Sequence, residues 1–264
     1  MREAMAALIL RPPAEIRDGV WDYHATRDGD VFDDEDERSW LEGGRLACNW
    51  NRAFGPNEPA WLRMEDVAPA FEGHPRRLLD ICCGPGMGFV PGVLARHPEI
   101  SCLAMDASPR LMDAWRKTLD EPLRRYDLSL ASFSAFDMPL KEKSFDVVTS
   151  YLGIGSTRSG ADGMRRALGE VRRVLRDDGW FVTVENTFDR AAACRVFELW
   201  GQPPWQAEDV TFEELFAACG FAPAAQPKIR TRYLTREDND LGEQAHRFGV
   251  KIATHSTLYL LRKA

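Results

Sequence analysis

Leu78-Leu79-Asp80-Ile81-Cys82-Cys83-Gly84-Pro85-Gly86-Met87-Gly88 is the stretch that decides the fold. A short apolar run enters a turn carrying glycines at 84, 86 and 88. Downstream, Ile100 to Met105 reads as a second apolar strand, and Asp106 follows it directly. Strand, glycine turn, strand and acid, in this order, are how a doubly wound α/β sheet holds a nucleoside. Glycine lets the backbone approach the ligand, and the acid accepts the ribose hydroxyls.

The nucleoside can belong to two kinds of cofactor. A dinucleotide fold uses G-x-G-x-x-G, with the third glycine packing helix on strand. Here Phe89 stands where that glycine belongs, and an acid, Asp80, closes the first strand instead. The resulting D-x-x-x-G-x-G pattern resembles motif I of the class I S-adenosylmethionine-dependent methyltransferases, with Cys82 in place of the motif's first glycine. Further blocks follow in family order. Ser144-Phe145-Asp146-Val147-Val148 resembles the fourth strand, and Ser134-Ala135-Phe136-Asp137-Met138-Pro139-Leu140 the segment beside the adenine. Arg172 to Gly179 resembles the turn into the fifth strand, and Thr211 to Phe221 the T-x-E-E-L helix with its A-G-F end. The resemblance spans about residues 76 to 262.

The resemblance implies a seven-stranded, mostly parallel sheet with helices on both faces. Residues 73–264 would form this cofactor-binding domain, and residues 1–72 an N-terminal helical lid. Strands are expected over Arg77–Cys82, Ile100–Met105, Leu128–Phe133, Phe145–Tyr151, Trp180–Glu185, Lys228–Leu234 and Thr257–Arg262. The cofactor would be S-adenosylmethionine. Asp80, Cys82, Gly84 and Gly86 would hold its methionine end, Asp106 its ribose, and Ala107 with Ser134, Ala135 and Phe136 its adenine. The family's adenine-binding acid aligns with Ser134, leaving Asp137 as the alternative. Ser150 and Tyr151 leave the fourth strand at its carboxyl end, where ligands sit in such sheets. Tyr151 is therefore read as near the methyl group, and Glu185 with Asn186 as able to orient a polar acceptor.

Bulk properties set limits. A chain of 264 residues suffices for one large α/β domain. No run reaches about 18 apolar residues, and the stretch Met1 to Leu10 is poorly flanked for a signal peptide. The six cysteines show no C-x-x-C spacing, so free thiols in a reduced cytoplasm and no metal site are expected. A net charge of -7 and the absence of an N/D-P-P-Y tetrapeptide after the fourth strand favour a small-molecule acceptor over nucleic acid.

Residues 1–72 carry less pattern. Asp28 to Glu37 holds seven acids and reads as a solvated loop or as an attractor for a cationic substrate. Trp40, Leu41, Leu46, Trp50, Phe54 and Trp61 suggest amphipathic helices. Tyr23 is a candidate to cover the cofactor. Beside it, His24 is the candidate general base among five histidines (24, 74, 97, 246 and 255). The expected reaction is methyl transfer to an oxygen or nitrogen of a small molecule. The alternatives are a peptide or protein acceptor, a dinucleotide-dependent oxidoreductase, and a non-catalytic cofactor-binding protein.

Overall fold

Leu78 and Leu79 point to opposite faces of the same strand, and both are fully buried. That pair summarises the architecture: a sheet covered on both sides, whose strands are near-continuous apolar runs. A computed structural model of the chain describes residues 3–24, 41, 45–52, 61–157, 160–201, 210–238 and 240–264. The acidic run Asp28 to Glu37, Trp40 and Phe54 lie outside the described residues.

Ten strands form one sheet among the described residues. They are β1 (Glu15–Arg17), β2 (Val20–Asp22), β3 (Arg77–Asp80), β4 (Ser101–Asp106), β5 (Leu128–Ser132), β6 (Phe145–Tyr151), β7 (Leu175–Phe188), β8 (Phe221–Pro223), β9 (Lys228–Tyr233) and β10 (Ala253–Lys263). The spatial order is β1-β2-β5-β4-β3-β6-β7-β10-β8, with β9 also paired to β10. From β2 to β7 every neighbouring pair is parallel. β10 then runs antiparallel to β7, β8 and β9. The chain leaves β3 toward β4 on one side and returns to β6 on the other. This reversal of direction opens a ligand crevice at the carboxyl ends of β3 and β6.

The helices are α1 (Glu3–Ala6), α2 (Arg45–Arg52), α3 (Met64–Val67), α4 (Val90–Arg96), α5 (Pro109–Thr118), α6 (Asp120–Arg125), α7 (Gly160–Val174), α8 (Arg190–Trp200), α9 (Phe212–Ala218) and α10 (Asp240–Arg247). On one face, α4 and α5 bury Val93, Leu111 and Trp115 against Leu78, Ala104 and Val147. On the other, α7 and α9 bury Leu168, Val171 and Phe216 against Leu79, Val148 and Phe181. Helix starts follow local chemistry. The Ser108 hydroxyl accepts the Leu111 N–H with Pro109 at the first turn, and Thr211 and Glu214 close a capping box.

Two expectations change. The sheet has more strands than seven, and the N-terminal segment is not wholly helical. Residues 15–22 form a hairpin whose two-residue loop is Asp18-Gly19, with φ of 47° and 86°. Two left-handed residues make the primed turn that matches strand twist, and Asp-Gly favours it. β2 then pairs with β5 and extends the sheet. The other differences are of extent: β7 and β10 are longer than predicted because their antiparallel pairing runs from Phe181–Leu261 to Phe188–Thr254.

Candidate active site

The glycine turn is sewn between two strands. Beyond β3, Ile81 N–H donates to the Thr149 carbonyl and Cys83 N–H to the Met105 carbonyl, each at 2.9 Å. Cys82 and Gly84 both sit in the left-handed region, at φ 50° and 53°. That conformation suits Gly84 and strains Cys82, at the position where the family motif has glycine. Gly84 N–H then donates to Oδ2 of Asp106 at 2.9 Å, while Oδ1 accepts Ser108 N–H at 3.0 Å. The acid that closes β4 is thereby tied to the turn that follows β3. An ionised carboxylate offers about four acceptor sites, so Asp106 can serve the backbone and a ligand together.

Two residues missed by sequence reasoning hold this turn. The buried indole of Trp115, on α5, donates to the Gly84 carbonyl at 2.8 Å. Asn49, on α2, donates its amide to the Pro85 carbonyl at 2.7 Å. Trp115 falls on an apolar helical stripe and reads as core. Asn49 lies in a stretch without a template, so nothing in the sequence marked either.

Asp80 is buried beneath the turn and accepts the Thr149 hydroxyl. Burial first, offset by that bond and reinforced by the charge of Asp106, holds its carboxyl up at about 7. The segment after β6 lies alongside. A Cβ at Gly88 would come within 2.5 Å of the Tyr151 side chain, so the glycine is what lets Tyr151 lie on the turn. A Cβ at Gly153 would meet Ser150 Oγ at 2.5 Å and Cys82 Cβ at 2.6 Å. Ser150 is fully buried, and its hydroxyl has no partner among the described residues. Leu152 takes φ 61°, a further strained residue at the mouth of the crevice.

Glu185, three residues before the end of β7, accepts Gly155 N–H at 2.9 Å and the Thr183 hydroxyl at 2.7 Å. Burial raises its carboxyl to about 7 against these bonds. Asn186 accepts the Ser256 hydroxyl at 2.6 Å.

The adenine segment lies past β5. The Ser134 hydroxyl accepts Phe136 N–H at 3.2 Å, and Ala135 is buried beside it. Asp137 does not swing inward: Arg11 pairs with it at 2.6 Å and its side chain is 66% exposed. Tyr23 N–H donates to the Ser132 carbonyl at 2.9 Å, and its ring stands edge-on to Phe133 at 5.7 Å. Burial pushes the Tyr23 phenol up to about 12, and its hydroxyl has no partner among the described residues. His24 follows, its backbone N–H held by Asp22 and its Nε2 buried with no partner among the described residues.

The remaining histidines lie elsewhere. His97 caps α4 and stacks on Phe71. His74 borders a cavity of about 730 Å³ at the amino ends of the strands, together with Asp146, Trp180 and Arg262. His255 bonds Thr231 across β9 and β10, and His246 is exposed on α10.

The residues fit S-adenosylmethionine on three observations. A Cβ at Gly86 would meet no atom within 4 Å, so the turn faces open space. A buried carboxylate closes β4 beside it. The hydroxyls of Ser150 and Tyr23 are buried with no partner among the described residues. No group of three or more potential metal ligands occurs among the described residues, and no described helix is long and apolar enough to cross a membrane.

Comparison with known proteins agrees. Residues 79–183 match the family model described as "Methyltransferase domain". The demethylmenaquinone methyltransferase of Lactobacillus johnsonii is 28% identical over 101 residues, 38% of this chain and 40% of that protein. The match thus spans less than half of that relative. The YcgJ protein of Bacillus subtilis superposes with a TM-score of 0.52 at 16% identity, over 76% of this chain and 98% of that one. The geranyl diphosphate C-methyltransferase of Streptomyces coelicolor A3(2) gives 0.54 at 12% identity, over 89% of this chain and all (100%) of that one; its structure contains Mg²⁺, geranyl diphosphate and S-adenosyl-L-homocysteine. At these identities the structural likeness establishes the fold. The family match falls on the part of the chain that holds the glycine turn, Asp106 and β6, and the fold around it is the one these solved structures share.

Proposed function

We propose that the protein moves the methyl group of S-adenosylmethionine to an oxygen or nitrogen of a small molecule. The observation that carries this reading is the 2.9 Å bond from Gly84 N–H to Asp106. It joins the motif I turn, which takes the methionine end, to the acid that takes the ribose, so one bond sets the two against each other. When bound, the cofactor supplies a methyl group already activated on a sulfonium, and the protein need provide no covalent nucleophile.

The chain's own residues then bind, orient and exclude water. Asp80 and the turn at Cys82, Gly84 and Gly86 orient the methionine end. Asp106 accepts the ribose hydroxyls, and Ala107, Ser134, Ala135 and Phe136 border the adenine. Tyr23 covers the cofactor from the N-terminal segment 1–72, whose residues 15–22 extend the sheet of the 73–264 domain and whose remainder is the lid. Ser150 and Tyr151 border the acceptor. A hydroxyl acceptor must lose a proton, and Nε2 of His24 is the candidate to take it. The six free thiols fit a reduced cytoplasm.

Calorimetric titration with S-adenosylhomocysteine and with NADH, on wild type and Asp106→Ala, tests the reading. Binding of the homocysteine nucleoside alone, weakened by the substitution, supports it and moves the work to acceptor screening, peptides included. Binding of NADH alone overturns it in favour of an oxidoreductase. Tight cofactor binding with no acceptor ever methylated favours a non-catalytic binding protein.

A further inference from the structure

Asp80 and Glu185 are each about 1% exposed, and neither has a Lys, Arg or His side chain within ion-pair distance among the described residues. A buried carboxylate without a cation is costly unless it is protonated or a cation arrives from outside. The two acids differ in what surrounds them. Asp80 lies beneath the glycine turn, where the methionine amino group would sit. Glu185 lies across the β6 segment from it, three residues before β7 ends at Phe188.

A second observation marks the space between. Ser150 and Thr183 are register partners on β6 and β7. The Thr183 hydroxyl is spent on Glu185, whereas the Ser150 hydroxyl is fully buried, against Gly153 and Cys82, with no partner among the described residues. The Cys82 thiol is pushed up by burial and then by Asp106, Glu185 and Asp80. The Ser150–Thr183 pair thus stands between the turn at Cys82 and the carboxylate of Glu185. An amino group is common to S-adenosylmethionine and S-adenosylhomocysteine, so Asp80 does not tell them apart. The sulfonium charge is what distinguishes them, and Glu185 is the further acid of this group.

We propose that Glu185 is a specificity-determining residue for ligand charge, favouring the sulfonium of S-adenosylmethionine over the neutral thioether of S-adenosylhomocysteine. The inference rests on the cofactor assignment made above. The charge acts through a buried, weakly screened environment, so it needs no direct contact. Glu185→Gln separates charge from architecture. The Gln carbonyl still accepts Gly155 N–H, and its amide can donate to Thr183 once that hydroxyl turns.

The test uses S-adenosylmethionine and S-adenosylhomocysteine themselves, titrated without acceptor at pH 8, above the value of about 7 to which burial raises Glu185, so that its carboxylate is ionised. In Glu185→Gln the ratio of Kd for S-adenosylmethionine to Kd for S-adenosylhomocysteine is expected to rise about ten-fold, equivalent to about 1.4 kcal/mol. The S-adenosylhomocysteine Kd itself should stay within about two-fold of wild type. Glu185→Asp, which keeps the charge, should keep the ratio. If the Gln variant does not fold, wild type is titrated at pH 6 and pH 8 instead, and the ratio should be the higher at pH 6, where Glu185 holds its proton. A ratio unchanged in the uncharged variant, with S-adenosylhomocysteine still bound, overturns the inference and leaves the cofactor assignment standing. A wild type that binds neither ligand overturns that assignment, and the inference with it.

Discussion

The indole N–H of Trp115 donates to the carbonyl of Gly84 at 2.8 Å, from a side chain wholly buried in the core. One residue thus belongs both to the packing of α5 on the sheet and to the shape of the turn. Trp115→Phe keeps an aromatic ring in the core and removes the donor. A lost neutral hydrogen bond costs about 0.5–1.5 kcal/mol, with a smaller term for the lost ring. Denaturant unfolding should show a loss of that order, and S-adenosylhomocysteine should bind several-fold more weakly because the turn loosens. Full affinity in the folded variant would mean that the other bonds hold Gly84 without Trp115.

Gly88 and Tyr151 make a second pair that can be tested by restoring it. A Cβ at Gly88 would overlap Tyr151 Cβ and Cγ at 2.5 Å, and neither atom is at the flexible end of its side chain. Gly88→Ala should therefore destabilise by about 1–3 kcal/mol, as overpacking does. Tyr151→Ala removes most of the obstacle, although Cβ remains. In a double-mutant cycle the combined variant should be less destabilised than the two single losses added together. Simple additivity would show that the clash is relieved by backbone movement instead.

The buried acids predict an unusual pH dependence. Asp80 and Glu185 are held up to about 7 from ordinary values of 3.8 and 4.5. Between about pH 4 and 7 the unfolded chain has lost these protons and the folded chain retains them. Stability of the ligand-free protein should therefore fall as pH rises through that window, by up to about 1.4 kcal/mol per pH unit for each group. Below it both states are protonated, and above it both are ionised, so these groups add no further slope. Asp238, held down to about 2 chiefly by Arg232, acts in the opposite sense and only at lower pH. Urea titrations at pH 5 and 7.5 should show the more alkaline sample weaker by about 2–5 kcal/mol. Glu185→Gln should remove part of that difference, and a flat profile in wild type would count against both assignments.

Much of the sheet was legible because buried parallel strands have to be apolar on both faces. Leu78, Leu79, Val147 and Val148 announce themselves in this way, and the glycine turn with Asp106 locates the crevice. The hairpin at Asp18-Gly19 was equally legible by its turn chemistry. It escaped because Glu15–Arg17 and Val20–Asp22 are three residues each, too short for a periodic signal. Trp115 and Asn49 were hidden for another reason. Their role depends on one donor meeting one carbonyl across 31 and 36 residues of sequence, and neither spacing nor residue type encodes such a meeting. Ser134 and Cys82, both departures from the family motif, were readable as positions. The strain at Cys82 and the Ser134 bond to Phe136 emerge only from the fold.

Asn49 gives the most selective test of whether the N-terminal segment belongs to the cofactor site. Its amide reaches the Pro85 carbonyl at 2.7 Å, and α2 otherwise touches the core through Leu46 and Trp50, the latter edge-on to Trp115 at 6.5 Å. The side chain is only partly buried, so Asn49→Ala should cost the fold no more than about 1 kcal/mol. The carbonyl it leaves is in the turn itself, between Gly84 and Gly86. If α2 holds the turn in its binding shape, S-adenosylhomocysteine should dissociate about three- to ten-fold faster, with the thermal midpoint shifted by only a few degrees. Dissociation is the step to measure, because a segment closing over a bound ligand governs its escape more than its arrival. An unchanged off-rate in the folded variant would make α2 a packing element of the α5 face and remove residues 45–52 from the lid.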